Sequence, residues 1–214
     1  IFPVMHGKEG EDGTLYRFLA SVDKHFVGSD SEGANTAFDK SLFKAYCDKT
    51  HIATAEWMAI NNNADIIKFG FPCVLKAANG GSSHEVALLF TEEDLSSEKV
   101  KHILTLKDTF FVEKHLQGIE ITVGVLIDEA LPVLEIISPT NGWFDYENKY
   151  SGASREIPFA PSVKTDVQKV AQQIALNIHK DLRLNSFSRT DFIVVNDIPY
   201  VLEINTPGGV GLTP

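Results

Sequence analysis

The sequence predicts a mixed α/β protein, because apolar runs of strand length alternate with segments of helical periodicity along its 214 residues. The clearest strands run from Ser188 to Val195 and from Pro199 to Asn205, on either side of a turn at Asn196-Asp197. The clearest helix runs from Asp166 to His179, where apolar residues from Val167 to Ile178 occupy periodic positions. With 43% hydrophobic residues, a chain of this length can bury a substantial core.

Composition and charge exclude two classes of partner. The 19 basic residues are scattered among 29 acidic ones, and the net charge of -10 argues against a nucleic-acid-binding surface. No apolar run has the length of a membrane span, and no signal-peptide pattern is present. We therefore expect a protein that binds neither nucleic acid nor membrane.

The two cysteines, Cys47 and Cys73, are far apart and lack metal-ligand spacing. Two buried free thiols in a reducing, cytoplasmic compartment are expected, and a single disulfide is the alternative.

The chain begins with an apolar run, Ile1 to Met5, that predicts a buried strand. A glycine-punctuated loop follows from His6 to Gly13, and a helix starts at Thr14. A strand, a glycine loop and a helix N-terminus together can bind an anion, but an ordinary strand-to-helix turn uses the same glycines. The next helix is predicted from Ala34 to Tyr46 and carries Asp39-Lys40, which alone reads as a solvated surface pair.

A second unit begins with a strand from Phe71 that ends on Lys76. Gly80-Gly81-Ser82-Ser83 follow, and the strand resumes from Val86 to Phe90, before a short helix with Thr91 as its N-cap. Backbone N–H groups and hydroxyls in such a loop suit triphosphate oxygens. The lysine precedes the glycines, so the loop is not a Walker motif, and a plain hairpin loop would have the same composition.

Two further segments could border a cleft. The strand Phe110 to Leu116 turns polar at its end, and after a break at Gly118 a new strand runs from Glu120 to Leu126. Such a strand could offer its backbone to a purine edge, or could simply end in solvent. The aromatic-rich segment Asn141 to Gly152 predicts a structured loop over a site.

The hairpin near the end of the chain gathers polar residues by alternation. Arg189 and Asp191 share one face of the first strand, and Glu203 and Asn205 share one face of the second. A two-residue loop at Asn196-Asp197 would send the two sets to opposite faces, whereas a three-residue loop pairs Asp191 with Glu203. We predict the three-residue loop.

That register would place hard oxygen ligands together, as Mg2+ prefers. On spacing alone, the solvent-exposed polar face of an edge hairpin explains the pattern equally well.

Seven motifs in order resemble the D-alanine–D-alanine ligases of the ATP-grasp superfamily. They are His6-Gly7-x-x-Gly10-Glu11-Asp12-Gly13, Asp39-Lys40, Lys76 with Gly81-Ser82-Ser83, Glu113-Lys114 with Glu120, Asp145-Tyr146-Glu147-x-Lys149-Tyr150, Arg189-x-Asp191 and Glu203-x-Asn205-Thr206. The resemblance implies an ATP-grasp fold, in which two α+β subdomains sandwich ATP after the remnant of an N-terminal α/β domain. The expected boundaries are 1–38, 39–117 and 118–214. Both ends then read as truncated, and we expect these residues alone to be inactive.

The resemblance also implies roles for individual residues. ATP phosphates would be bound by Lys40 and Lys76, and the adenosine framed by Glu113, Lys114, Leu116 and Glu120. Two Mg2+ ions, or Mn2+ in their place, would be held by Asp191, Glu203 and Asn205. The first amino acid would lie beside His6, Glu11 and Asp12. Ser82 and Tyr150 would organise the substrate end, Lys149 would face the transferred phosphate, and Arg189 with the N–H groups near Gly208 would stabilise the oxyanion.

The implied activity is the ATP-dependent joining of two D-alanines through an acyl phosphate, for peptidoglycan precursors, by a cytoplasmic enzyme that is a homodimer at full length. One alternative is a ligase that uses D-lactate as second substrate, against which Lys149-Tyr150 argues. The other is a nucleotide-binding homologue without ligase activity. It is motivated by His84-Glu85, which replace the usual hydrophobic residue and glycine and place a carboxylate where phosphate approaches. Ala77 in place of a proline and Tyr16 in place of a glutamine are further departures.

Overall fold

Two antiparallel sheets form the framework of the chain, which confirms the predicted mixed class. The computed structural model describes residues 1–5, 7–79, 85–106, 108–137 and 155–207. One sheet has four strands and the other six, and helices pack against both.

Four helices occupy the first fifty residues: α1 (Lys8–Glu11), α2 (Thr14–Ser21), α3 (Ser31–Phe38) and α4 (Lys40–Thr50). The predicted strand from Ile1 to Met5 is wrong. This segment has no regular secondary structure, and Val4 is 75% exposed. The prediction failed because an apolar run does not by itself determine whether other residues cover it.

The single helix predicted from Ala34 to Tyr46 is also wrong, because the chain breaks at Asp39. The backbone of Asp39 is extended, with ψ of 105°, and its carboxylate accepts hydrogen bonds from the N–H groups of Ser41 and Leu42. Asp39 is therefore the N-cap of α4, which fixes the direction in which Lys40 leaves the helix start.

The four-stranded sheet has the order β1-β4-β2-β3. Its strands and the helices between them are β1 (Trp57–Ile60), α5 (Asn63–Phe69), β2 (Cys73–Ala77), β3 (Val86–Leu89), a 3-10 helix (Glu92–Ser96), α6 (Glu98–Thr105) and β4 (Phe110–Lys114). Ile66 of α5 and Ile103 of α6 join Leu75 and Val112 of the sheet in one buried cluster. This cluster leaves the other face of β2 and β4 for charged side chains.

The six-stranded sheet has the order β10-β9-β5-β7-β8, with β6 added to β5. Its elements are β5 (Ile119–Leu126), β6 (Glu129–Ala130), β7 (Leu134–Ile137), β8 (Arg155–Pro158), α7 (Thr165–Asp181), β9 (Phe187–Val195) and β10 (Ile198–Asn205). The predicted helix is confirmed as α7, which packs Val167 and Ile178 onto the sheet, although Val170 is 49% exposed.

The β9-β10 hairpin contains the register on which the metal site depends. Asn196 and Asp197 have φ values of 50° and 63°, and Val195 pairs with Ile198, so the loop has two residues and the predicted three-residue loop is wrong. A bulge between Val201 and Glu203 then shifts the register by one residue. Asp191 consequently pairs with Glu203. The predicted pairing and shared face are therefore confirmed, but the bulge produces them rather than a three-residue loop.

Cys47 and Cys73 are free and buried, as predicted. Within the described ranges, no helix is long and apolar enough to cross a membrane. The four-stranded sheet lies within residues 57–114 and the six-stranded sheet within 119–205. The division into three domains remains a prediction.

Candidate functional site

A buried ion-pair triad lies on the polar face of the four-stranded sheet. Lys76 on β2 and Glu113 on β4 are diagonal neighbours, because Val74 pairs with Glu113 and Lys76 pairs with Phe111. The Lys76 Nζ atom lies 2.5 Å from the Glu113 Oε1 atom. The other carboxylate oxygen of Glu113, Oε2, lies 2.5 Å from Nζ of a second lysine, Lys44.

Lys44 on α4 is a functional candidate that sequence reasoning missed. Its side chain is only 1% exposed, and its ammonium group also donates to the hydroxyl of Thr54 at 2.6 Å and the carbonyl of Ala55 at 3.5 Å. The one sequence signal is its helical position, three residues before the buried Cys47, which places a lysine on the apolar side of α4.

The charges of the triad are mutually dependent. Burial alone would raise the pKa of Glu113, but the positive charges of Lys76 and Lys44 outweigh burial and hold that pKa below its usual value. Burial lowers the pKa of Lys44, and Glu113 opposes this only in part. For Lys76 burial again acts to lower the pKa, but Glu113 and then Glu203 more than compensate, so its pKa is raised. Lys76 is thus a firmly charged cation.

Lys40 brings the start of α4 to the six-stranded sheet. Its Nζ atom lies 3.9 Å from the Glu203 Oε2 atom, and its backbone N–H donates to the carbonyl of Ala78 just after β2. The side-chain amide of Asn79 donates to Asp108 at 2.7 Å, which anchors the beginning of the glycine-serine loop. Lys40 therefore links Ala78, just after β2, to the Glu203 carboxylate on β10.

Asp191 is the centre of a second polar cluster, on β9. Arg189 donates to it twice, from Nε to Oδ1 and from Nη2 to Oδ2, both at 3.0 Å. Thr122 on β5 donates its hydroxyl proton to Oδ1 at 2.5 Å, and Asn205 donates from its amide nitrogen to Oδ2 at 3.1 Å. The charge of Asp191 raises the pKa of Arg189, against the effect of burial.

Thr122 was not predicted from the sequence. It lies directly opposite Asp191 in the β5-β9 ladder and shares a face with Glu120, two residues earlier. Period-two alternation from Glu120 was the signal that could have identified it.

The donor set of this cluster suits a hard cation. Asp191 and Glu203 offer carboxylate oxygens, and Asn205 has its amide nitrogen rather than its oxygen bonded to Asp191. In the described part of the chain, no group of three His, Cys, Asp or Glu side chains could hold a metal ion, so this set of two carboxylates and one amide would need ligand oxygens to complete it.

Asp191 already accepts four hydrogen bonds, which matches the roughly four lone-pair sites of a carboxylate. A cation could therefore bind Asp191 only if one of these donors moved away.

The residues expected around the adenosine are spread along the end of β4 and the start of β5. Glu113 points its carboxylate at the lysines, and the charge of Glu120 also acts on Lys76. Lys114 is exposed at the strand end, where its backbone N–H donates to Glu56, and Leu116 is half-buried. Their contact with a nucleotide remains a prediction.

The residues expected beside the first amino acid lie at the N-terminal helices. Glu11 is 8% exposed and accepts from the backbone N–H of Gly7 at 3.3 Å, whereas Asp12 accepts from the N–H of Thr14 at the start of α2. Five other candidates lie outside the described residues: His6, Ser82, Lys149, Tyr150 and Gly208.

Comparison with known proteins gives consistent matches over nearly the whole chain. Residues 47–213 match the family described as D-ala D-ala ligase C-terminus. The chain is 34% identical over 214 residues to a D-alanine--D-alanine ligase of Aquifex aeolicus, covering 98% of this chain and 72% of the relative. It is 37% identical over 223 residues to the ligase of that name from Desulfotalea psychrophila, of which it covers 68%.

Solved structures agree with these matches. The D-alanine--D-alanine ligase of Bacillus anthracis complexed with ATP superposes with a TM-score of 0.79 at 26% identity, covering 96% of this chain and 67% of that one. The D-alanyl-alanine synthetase A of Vibrio cholerae gives a TM-score of 0.81 at 23% identity, which bears on the fold alone. The ATP-grasp fold that the motifs predicted is thereby confirmed.

Proposed function

Because the chain belongs to the D-alanine–D-alanine ligase family, we propose that it carries the nucleotide site of an ATP-dependent enzyme that joins two D-alanines for peptidoglycan precursors. The observation that carries the proposal is the approach of Lys40 to Glu203, which brings the lysines beside the four-stranded sheet to the carboxylates of the six-stranded sheet. A triphosphate with bound cations needs this combination, since cationic side chains neutralise its oxygens and carboxylates hold the metal.

Lys40 and Lys76 would bind the phosphates of ATP. Lys76 keeps its proton in the buried site because Glu113 and Glu203 surround it with negative charge. Glu113, Lys114, Leu116 and Glu120 would frame the adenosine, on the polar ends of β4 and β5.

Magnesium, or manganese in its place, would supply further neutralisation of phosphate charge when bound by Asp191, Glu203 and Asn205. The residues themselves prepare the site: Thr122 and Asn205 orient the carboxylate of Asp191 before any cation arrives.

The reaction would proceed in two displacements. The carboxylate oxygen of the first D-alanine takes the terminal phosphoryl group of ATP, which releases ADP and forms an acyl phosphate. The amine of the second D-alanine then attacks the acyl carbon, and the tetrahedral oxyanion collapses with loss of phosphate and of the amine proton. His6, Glu11 and Asp12 would flank the first amino acid, and Ser82, Lys149 and Tyr150 would line the reacting end.

Arg189 would stabilise the oxyanion together with the N–H groups near Gly208. A guanidinium has five N–H donors, and Asp191 uses two of them. Its side chain is 33% exposed, so the remaining donors can reach a ligand. A cation on Asp191 would displace at least one of the four hydrogen bonds that it accepts, and Arg189, which supplies two of them, is the side chain that we expect to move.

The test is phosphate release from ATP by the full protein that contains this chain, in the presence of D-alanine and Mg2+. We expect Arg189→Ala to lower turnover by about 100-fold or more, the usual cost of a lost oxyanion donor, while ATP still binds. Arg183→Ala is the matched control, because the Arg183 side chain is 63% exposed and, among the described residues, pairs with the carboxylates of Asp30 and Glu32, away from the site. Near-normal turnover in Arg189→Ala would refute its role.

The same assay separates the alternatives. ATP binding without D-alanine-dependent phosphate release would favour a nucleotide-binding homologue without ligase activity. The reason to test this alternative is Glu85, which would place a carboxylate where phosphate approaches. Faster release with D-alanine plus D-lactate than with D-alanine alone would favour the depsipeptide ligase. A cytoplasmic homodimer with no nucleic-acid or membrane partner completes the proposal. The mass of the protein in solution tests the homodimer.

A further inference from the structure

Lys44 has a place in the fold that a structural salt bridge alone does not explain. It is a fully buried lysine at 1% exposure, yet it lies next to another lysine, Lys76, with only the Glu113 carboxylate between them. Burying a charge costs free energy unless it is well paired, and the second positive charge adds repulsion. A simpler core would place an apolar residue here and leave Lys76 and Glu113 as a neutral pair.

The contacts of Lys44 run in two directions. On one side its ammonium group holds Glu113 Oε2, while Oε1 of the same carboxylate holds Lys76. On the other side it donates to the hydroxyl of Thr54 at 2.6 Å, and that hydroxyl donates in turn to the carbonyl of Val201 at 2.8 Å.

These contacts form one continuous chain between the two sheets. Val201 lies on β10, immediately before the bulge that orients Glu203 and Asn205, and a parallel bridge between Thr54 and Val201 strengthens the connection. This series of contacts begins at β10, the strand that carries expected metal ligands, and ends at Lys76, the lysine expected to bind the phosphates.

We infer that Lys44 is a positioning residue: it fixes the carboxylate of Glu113, which in turn fixes Lys76 on the phosphates, and through Thr54 it ties this arrangement to the metal-bearing strand. The inference rests on the proposed function, since it assumes that Lys76 binds phosphate. Lys44 itself is 1% exposed and is enclosed by Glu113, Thr54 and Ala55, so the role inferred for it acts through Glu113.

The test compares ATP with adenosine, because Lys76 bears on the phosphates and not on the nucleoside. Lys44→Met keeps the length of the side chain and removes its charge, and Glu113 then still has Lys76 as partner, so no buried charge is left alone. Lys49→Met is the matched control, on the same helix but exposed. Affinities for both ligands are measured by titration calorimetry with Mg2+ present.

We expect Lys44→Met to weaken ATP binding by about tenfold more than adenosine binding, the scale of one misplaced charge-assisted hydrogen bond. A smaller loss shared by both ligands would reflect Glu113, which is also expected beside the adenosine. Lys49→Met should match the wild type. Unchanged ATP affinity in Lys44→Met would overturn the inference, and so would equal losses for ATP and adenosine, which would indicate a purely structural role.

A double variant tests whether the effect passes through Glu113. If it does, Lys44→Met adds nothing to the ATP loss of Glu113→Gln, whereas additive losses would overturn the relay. If Lys44→Met does not fold, Thr54→Val and Thr54→Ser replace it, since only the first removes the hydroxyl that Lys44 binds. Weaker ATP binding in Thr54→Val alone supports the inference, and equal affinities in the two variants contradict it.

The two proposals fail in different ways. A wild-type protein that binds ATP no better than adenosine would refute both the proposed function and the role of Lys44. Loss of the ATP preference in Lys76→Met, but not in Lys44→Met, would leave the proposed function standing and refute Lys44 alone.

Discussion

Thr122→Val should destabilise the protein, and Thr190→Val should not, although both threonines are buried on neighbouring strands of one sheet. The hydroxyl of Thr122 donates to the Asp191 carboxylate at 2.5 Å. The hydroxyl of Thr190, 0% exposed, has no hydrogen-bond partner among the described residues. Valine has nearly the shape of threonine, so each substitution removes a hydroxyl and little else.

The magnitude follows from what Asp191 loses. A hydrogen bond to a charged group contributes about 1.5–3 kcal/mol, and Asp191 retains its three other hydrogen bonds, so we expect a loss of ~2 kcal/mol for Thr122→Val. Removing the unpaired hydroxyl of Thr190 leaves no donor or acceptor behind and should be neutral or stabilising.

Urea unfolding followed by circular dichroism measures both variants. With a slope of about 2 kcal/mol/M, the loss in Thr122→Val corresponds to a midpoint lower by roughly 1 M, at unchanged slope. Equal midpoints for Thr122→Val and Thr190→Val would refute the reasoning, because they would mean that the bond to Asp191 contributes no more than an unpaired hydroxyl.

Two further predictions concern titratable groups outside the site. Burial lowers the pKa of His179 below its value of 6.5 in the unfolded chain, so the unfolded state binds the extra proton and stability should fall as the pH drops below that value. His179→Gln should flatten this part of the profile of melting temperature against pH, and an unchanged slope would contradict the assignment. Burial also raises the pKa of Cys47 to about 12 and that of Cys73 to about 11, so iodoacetamide at neutral pH should label both only after unfolding, and rapid labelling of the native protein in mass spectra would be the opposite result.

Local alternation was sufficient to group the polar residues of the hairpin, whereas the other site residues came from the family resemblance. Arg189 and Asp191 share one face of their strand, and so do Glu203 and Asn205, because side chains on a strand alternate between its two faces. This alternation can be deduced without any knowledge of tertiary contacts. The register between the two strands was harder to predict from the sequence. Asn196-Asp197 forms a two-residue turn, and the bulge before Glu203 that restores the pairing depends on the neighbouring structure rather than on a turn signal.

Burial is the property that the sequence conveyed least well. Lysines are almost never fully buried, so the position of Lys44 on the apolar side of α4 was a weak signal, and its burial became evident only with its partners Glu113 and Thr54 in place. The exposed run at Ile1 is the reverse case, since an apolar composition does not say what packs against it. Asp39 was missed as a helix boundary because an N-cap inside a continuous apolar pattern is indistinguishable from a surface residue.

The central claim is that Asp191 and Glu203, brought opposite each other by the bulge, bind a metal together with ATP. The most direct measurement is the affinity for ATP with and without Mg2+, in the wild type, in Glu203→Gln, and in Glu129→Gln as an exposed control on β6 of the same sheet. We predict that Mg2+ tightens ATP binding in the wild type and in Glu129→Gln, and that Glu203→Gln loses most of this effect. An ATP affinity that does not depend on Mg2+, or that keeps its full dependence in Glu203→Gln, would contradict the account.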